Sequence, residues 1–371
     1  MSSLPVALRP RLKGVGEECS QNWSSWNKEW RLLRGYAAVK HQRPPPNAPQ
    51  GNASDLTIEL RNPFSEPPAA RWLSFSLYLA AYASALVCNS LLCLAICAHR
   101  RLHRPMYLLV CAMSGVDLVA ATNSLPALAR STFGAVAIPL GECVAQMFVA
   151  HATLRMQTST LCLMSLDRYV AIGHPLRYGA LVTNARAAAS LASAAALVVL
   201  LCLANVVGVL RLDFCRPVAI PVPVCNYLGL VHVACGDVAG HVAYGYATLA
   251  IYVAAPAAIV SVAYARVLLE FRRPGLRATQ RRAVHACVTQ LMVAGVYFVS
   301  ILVSFVNSFP FPESRAAEAR FSFHVLHYML PCTLNPVIYG LRMCEIRRVA
   351  FPEVPRQDKM AEWTCRTSRT Q

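Results

Sequence analysis

The sequence predicts an all-α membrane protein, a seven-transmembrane helix bundle with its N-terminus outside and its C-terminus cytoplasmic. Three observations predict it. Hydrophobic residues make up 56% of the 371 residues and charged residues only 14%, against roughly 25% charged in an ordinary soluble domain. Mean hydropathy is +0.42, so the chain lacks the polar surface to solvate a globule of this size. Seven stretches reach the about 20 predominantly apolar residues that a helix needs to cross a bilayer. Finally, Lys and Arg alternate in density from one linker to the next, as orientation in a membrane requires.

The spans follow in order. The first covers 72–98, and the second covers 106–129, entered through the turn signal Arg104-Pro105. The third, 143–168, ends before His174-Pro175, and the fourth covers 187–210. The fifth, 242–269, is followed by Arg273-Pro274-Gly275, and 283–306 and 321–341 complete the set. Pro-containing linkers of this kind stop helices. No internal repeat of the type that marks many transporters is visible. The chain thus divides into an extracellular segment 1–71, a seven-helix bundle 72–345 and a cytoplasmic tail 346–371. Pro44-Pro45-Pro46 and mixed charges make 1–71 read as a disordered tail; it has no apolar h-region of a cleaved signal peptide.

Net charge is +17, which in a soluble protein would suggest nucleic acid. Its distribution argues against that partner and for the lipid bilayer. Linkers 99–105, 168–186 and 266–282 hold three, three and six Lys or Arg, whereas 130–142, 211–241 and 307–320 hold one, two and two. The richer set is cytoplasmic by the positive-inside rule. The sequons at Asn22 and Asn52 then lie outside, where glycosylation occurs. Cys143, Cys215, Cys225 and Cys235 share that oxidising side, and their spacing leaves three pairings open. The 15 cysteines otherwise show no zinc-type spacing. His324 and His327 form a His-x-x-His pair without a third ligand type nearby, so no metal and no cofactor is expected.

Three motifs line up with the spans. The second span opens with Pro105-Met106-Tyr107 and runs through Met113-Ser114 to Asp117-Leu118. The third ends in Met164-Ser165-Leu166-Asp167-Arg168-Tyr169-Val170-Ala171-Ile172, followed by His174-Pro175-Leu176-Arg177-Tyr178. The seventh ends in Leu334-Asn335-Pro336-Val337-Ile338-Tyr339. Together they resemble an odorant (olfactory) receptor of the rhodopsin-like G-protein-coupled receptor superfamily, fish-type in character, over about residues 52–348. Cys215, Cys225 and Cys235, spaced ten and ten, and the start of the sixth span at Arg282-Ala283, Ala286-Cys287 and Gln290-Leu291 resemble the same family.

The resemblance implies disulfides Cys143–Cys225 and Cys215–Cys235. It implies a switch and coupling set of Asp167, Arg168, Tyr169, Asp117, Asn89, Asn335, Pro336 and Tyr339, with Asn89 and Asn335 as partners of Asp117. It implies a small-molecule odorant as ligand and a heterotrimeric G protein of the olfactory stimulatory type as partner, raising cAMP at the plasma membrane of sensory cilia. Two departures stand out. Gly173 replaces a usual Cys, and Gln157 stands where the family commonly carries Glu, which removes an acid from the polar centre and bears on any sodium site.

The residues carry their own physical reading. Arg168 beside Asp167 can form an ion pair that holds an inactive arrangement, or can simply snorkel. Asp117 is the one acid deep in a span, where charge is costly; it reads as a switch core or as a static polar knot. Pro336 breaks the helix ladder where neighbours can satisfy freed carbonyls. Candidate ligand residues are Ala150, His151, Leu154 and Arg155 in the third span, Tyr246 in the fifth, and Tyr297, Ser300, Ile301 and Ser304 in the sixth. The i, i+4 spacing puts His151 and Arg155 on one face. Arg155 cannot shed its charge. It is expected either to recognise an anionic group with His151 adding a donor, or to pair internally with Glu142 or Asp237.

Other classes fit less well. A retinal protein needs a Lys in the seventh span, and 321–341 contains none. An amine receptor would carry Asp where Ala150 stands. No nucleophile–base or metal-ligand motif suggests a membrane enzyme. On the same fold, the remaining alternatives are a rhodopsin-like receptor for another small ligand, or a copy that no longer signals.

Overall fold

The computed structural model describes residues 56–60, 67–214, 218–220, 223–271, 277–307, 315–343 and 346; for 218, 271, 277–286, 303–307, 315–325 and 342, only the backbone is described. Seven long helices form the bundle: α1 Pro68–Ala98, α2 Pro105–Ser131, α3 Leu140–Gly173, α4 Asn184–Leu210, α5 Ala239–Phe271, α6 Arg277–Asn307 and α7 Arg315–Arg342. Each covers its predicted span and runs past it. The apolar stretch marks only the hydrocarbon crossing, whereas backbone hydrogen bonding continues through the interfacial layers. Local chemistry sets several starts. Pro68 and Pro105 occupy the first turns of α1 and α2, where a missing N–H costs nothing. Thr183 caps α4 by accepting from the Arg186 backbone N–H at 3.2 Å.

Among the described residues, four of these helices are long and apolar enough by composition alone to cross a membrane: α1, α2, α4 and Ala239–Glu270 of α5. The helix α3 is less apolar than these four and packs against α2, α4, α5 and α6. Lipid-side positions carry exposed apolar groups such as Leu73, Leu94, Leu200, Leu210, Ile251 and Val299.

A three-stranded sheet covers one end of the bundle. β1 (Thr57–Leu60) lies between β2 (Val136–Pro139), antiparallel, and β4 (Val218–Ile220), parallel. A second pair joins β3 (Asp213–Phe214) to β5 (Ala234–Cys235). The expectation of a disordered segment through residue 71 therefore fails at Thr57–Leu60 and at Pro68, where α1 begins. Ile58 and Leu60 alternate with Thr57 and Glu59, and the two apolar side chains are buried against Ile138, Leu140, Val144, Ile220 and Leu230. That alternation is the period-2 pattern of a half-buried strand, too short to stand out in a polar tail.

A short helix, Tyr227–Val233, joins this cap to the bundle. Asn226 starts it by accepting from Gly229 N–H at 2.7 Å. It rests on two glycines: a Cβ on Gly208 would meet the Tyr227 hydroxyl at 3.2 Å, and one on Gly245 would meet Leu228 Cδ2 at 2.5 Å. The disulfide Cys143–Cys225, with Cα atoms 5.4 Å apart, ties the start of α3 to the chain just before that helix.

Candidate functional site: a polar column through the bundle

Polar side chains occupy three levels along α3. At the end opposite the sheet, Arg168 donates from Nε at 3.1 Å and from Nη2 at 2.6 Å to Oδ2 of Asp167. Tyr178, in the helical turn Tyr178–Leu181, donates to Asp167 Oδ1 at 2.7 Å. Burial, followed by the adjacent carboxylate, pushes the Tyr178 hydroxyl well above the usual phenol range, so it stays a donor. Both carboxylate oxygens are thus satisfied. Tyr169 stacks edge-on against His174 and packs beside Val260, Tyr264 and Val267 of α5. The Tyr264 hydroxyl in that layer is buried without a hydrogen-bond partner among the described residues.

At mid-bundle, Asp117 is fully buried. Gln157 donates to its Oδ1 at 2.6 Å and Asn335 to its Oδ2 at 3.0 Å. The residue read as a lost acid is therefore a donor that holds the remaining one, which the i−11 spacing from Arg168 could have suggested. Asn89 does not reach Asp117, contrary to expectation. Its Nδ2 donates to the carbonyls of Ala85, at 2.8 Å, and Cys332, at 2.9 Å. The reason lies in α7: Pro336 lacks the N–H that would bond the carbonyl four residues earlier, and Asn89 supplies a substitute. Tyr339 is buried with its hydroxyl 3.5 Å from Met164 Sδ.

Toward the sheet lies the stretch that sequence reasoning assigned to a ligand. Arg155 is only 3% exposed. Its Nη1 donates to Cys202 Sγ of α4 at 3.0 Å, and its guanidinium carbon sits 4.4 Å from the centre of the Tyr252 ring on α5. Neither Glu142 nor Asp237 pairs with it. Glu142 is exposed near the start of α3, thirteen positions away, or roughly 20 Å at 1.5 Å per residue. Asp237 accepts from the Ala239 N–H at 3.0 Å. His151, one turn before Arg155, accepts at Nε2 from the Tyr227 N–H at 3.4 Å, which leaves its proton on Nδ1.

The other ligand candidates divide. Ala150 is buried on the same side of the helix as Leu154. Tyr297 is fully buried and donates to the Leu154 carbonyl at 2.6 Å, so α6 is tied to α3 next to Arg155. Ser300 donates to the Tyr297 carbonyl at 2.8 Å. Ile301 packs with Tyr297, Val293 and Tyr339 in the mid-bundle core. Tyr246 is half-buried on α5, away from that core. The side chains of Ser304 and His324, together with Asn22, Asn52 and Cys215, lie outside the described residues; Cys235 is disulfide-bonded. Sequence reasoning missed Cys202, Tyr252 and Gln146, whose Oε1 accepts from Cys225 N–H at 2.9 Å. Only Gln146, three residues from Cys143, carried a signal close in sequence.

Comparison with known proteins identifies a family. A profile of the family described as "Olfactory receptor" matches residues 78–353. Olfactory receptor 52B4 of Homo sapiens is 32% identical over 287 residues, covering 74% of this chain and 88% of that protein. Olfactory receptor 51E1 of Homo sapiens is 30% identical over 309 residues, 81% of this chain and 94% of that protein. Olfactory receptor 56B34 of Mus musculus is 30% identical over 284 residues, 76% and 87% respectively. The matched region takes in all three levels of the column.

Proposed function

The chain belongs to the olfactory receptor family, a family of rhodopsin-like seven-helix signalling receptors, and from that premise we propose how its own residues carry the signal. It is a multi-pass membrane protein activated by a small odorant. The odorant binds in the sheet-side half of the bundle, within reach of His151, Leu154, Arg155 and Tyr246. Binding shifts the population toward an arrangement in which α6 parts from α3 at the opposite end. A ligand can do this only by its differential affinity for the two states.

One observation carries the mechanism: the hydrogen bond from Tyr297 on α6 to the carbonyl of Leu154 on α3. A molecule seated against that turn of α3 acts directly on the tie between the two helices. Below it, the Asp117–Gln157–Asn335 knot and the Asp167–Arg168–Tyr178 cluster hold the resting arrangement. Release of Arg168 from Asp167 presents a cation to the G protein, which is of the olfactory stimulatory type and raises cAMP.

The sheet side faces outward. The support is that β1, β2 and β4 and the Cys143–Cys225 disulfide share one end, and disulfides persist on the oxidising side. The basic linkers 99–105, 168–186 and 266–282 then face the cytoplasm, where anionic lipid attracts them. The site of action is the plasma membrane of olfactory cilia.

The test is cAMP in cells expressing the surface-verified receptor, challenged with carboxylic acids, amines, sterols and neutral volatiles. A dose-dependent rise that disappears in Arg168→Ala at equal surface expression is the expected result. A response untouched by Arg168→Ala would refute this coupling route.

A further inference from the structure

We propose that Arg155, at the junction of α3, α4 and α5, binds the carboxylate of the activating odorant. This rests on the reading that the odorant enters the sheet-side half of the bundle, and adds the chemical class of the ligand.

Arg155 carries a permanent charge and is 97% removed from solvent-accessible surface. A buried charge inside a membrane requires a partner. Its protein partners are a neutral thiol, Cys202, and the face of Tyr252. No described carboxylate pairs with it. Its Nε and Nη2 donate to no described protein atom. A guanidinium presents its donors in a planar fork that matches a carboxylate. Two of its three nitrogens therefore remain available to one group, and the fork is already held in place: the Tyr252 ring fixes its plane and Cys202 fixes one corner.

Neighbouring groups suit the same ligand. His151 lies one turn away on the same face of α3. With Nε2 accepting from Tyr227, its Nδ1–H is a second donor. The Tyr252 hydroxyl has no hydrogen bond to the described protein and can supply a third. Leu154, adjacent in sequence, is half-buried and packs with the mid-bundle core, where an alkyl tail extends toward Tyr297. A carboxylate head with an apolar tail fits this division of polar and apolar surface. The neutral ester or alcohol of the same length would leave the charge unmatched, and sites built around buried polar groups discriminate strongly against analogues that leave them unpaired.

The test uses straight-chain carboxylates, each paired with its methyl ester and its primary alcohol, on full-length receptor. In the cAMP assay the acids should activate wild type at concentrations about tenfold or more below their esters. Arg155→Gln should lose about tenfold or more of acid potency at equal surface expression while any ester response holds, and Arg155→Lys should retain part of it. Equal potency of acid and ester on wild type, or unchanged acid potency in Arg155→Gln, overturns the proposal. A second readout separates the site from the signalling: purified receptor in detergent should be protected from thermal inactivation by octanoate but not by methyl octanoate, and Arg155→Gln should abolish that protection. Protection with no cAMP rise would keep the anion site and reject the coupling reading. No protection by octanoate, or full protection by chloride alone, would reject the carboxylate site.

Discussion

The side-chain amide of Asn89 on α1 donates to the carbonyl of Cys332 on α7 at 2.9 Å, the carbonyl that Pro336 leaves without its helical partner. The bond joins two helices at the point where one of them is weakest. Leaving a buried carbonyl unsatisfied costs about 1–3 kcal/mol. Asn89→Ala is expected to lower the thermal stability of the purified receptor by that order, and Asn89→Gln to recover little. If Asn89→Ala unfolds at the wild-type temperature, the bond is not what steadies α7.

The tie from Tyr297 to Leu154 makes a second prediction. Tyr297→Phe removes one hydrogen bond and keeps the ring in its core. A net loss of about 1 kcal/mol from the resting state is roughly fivefold in the active population. Basal cAMP per surface receptor should rise by that order. A fall or no change would mean that the bond is equally present in both states.

Tyr178→Phe tests the Asp167 cluster in the same assay. It strips one of the two donors from Asp167 while leaving the Arg168 contacts. Basal signalling should increase, by less than in Asp167→Asn, which removes the ion pair as well. Identical basal activity in all three proteins would contradict a restraining role.

Gly245 is a packing prediction. A Cβ there would meet Leu228 Cδ2 at 2.5 Å and Tyr227 Cδ1 at 3.2 Å. The leucine end can swing, the ring less so, and overpacking of this kind costs about 1–3 kcal/mol. Gly245→Val should reduce surface expression, and adding Leu228→Ala should restore a substantial part of it. Failure of the second change to rescue the first would place the clash elsewhere.

Breaking Cys143–Cys225 removes a link across 82 residues, which the loop-closure relation values at about 4 kcal/mol. Cys143→Ser and Cys225→Ser should each abolish surface expression at physiological temperature. The double mutant should be no worse than either single one, since both delete the same bond. A double mutant clearly worse than both would show that each thiol has a separate task.

What could be read in advance follows a physical division. Runs of apolar residues report the solvent around a helix, so all seven spans were legible, although α3, α6 and α7 are less apolar than the other four. The pairing Asp167–Arg168 was legible because the two are adjacent. Asp117 was visible as a cost without its remedy: Gln157 and Asn335 are forty and more than two hundred positions away. Asn89, given to Asp117 by the resemblance, bonds instead to the Ala85 and Cys332 carbonyls, because a resemblance does not tell a carboxylate from a carbonyl nearby. Cys202 and Tyr252 were invisible. A thiol and a phenol become a guanidinium cradle only after three helices cross.

The position of β1 also dictates an order of assembly. It is synthesised first, yet it is the middle strand, and both strands it pairs with are made only after α2 and α4 respectively. Its pairing on both sides is therefore complete only after four of the seven long helices have been made. A chain whose early helices have taken the wrong tilt or order offers no slot between β2 and β4. Such a chain leaves Ile58 and Leu60 without their seat against Ile138, Ile220 and Leu230. β1 thus ties together three distant parts of the chain, and its place exists only when the segments on either side have come together.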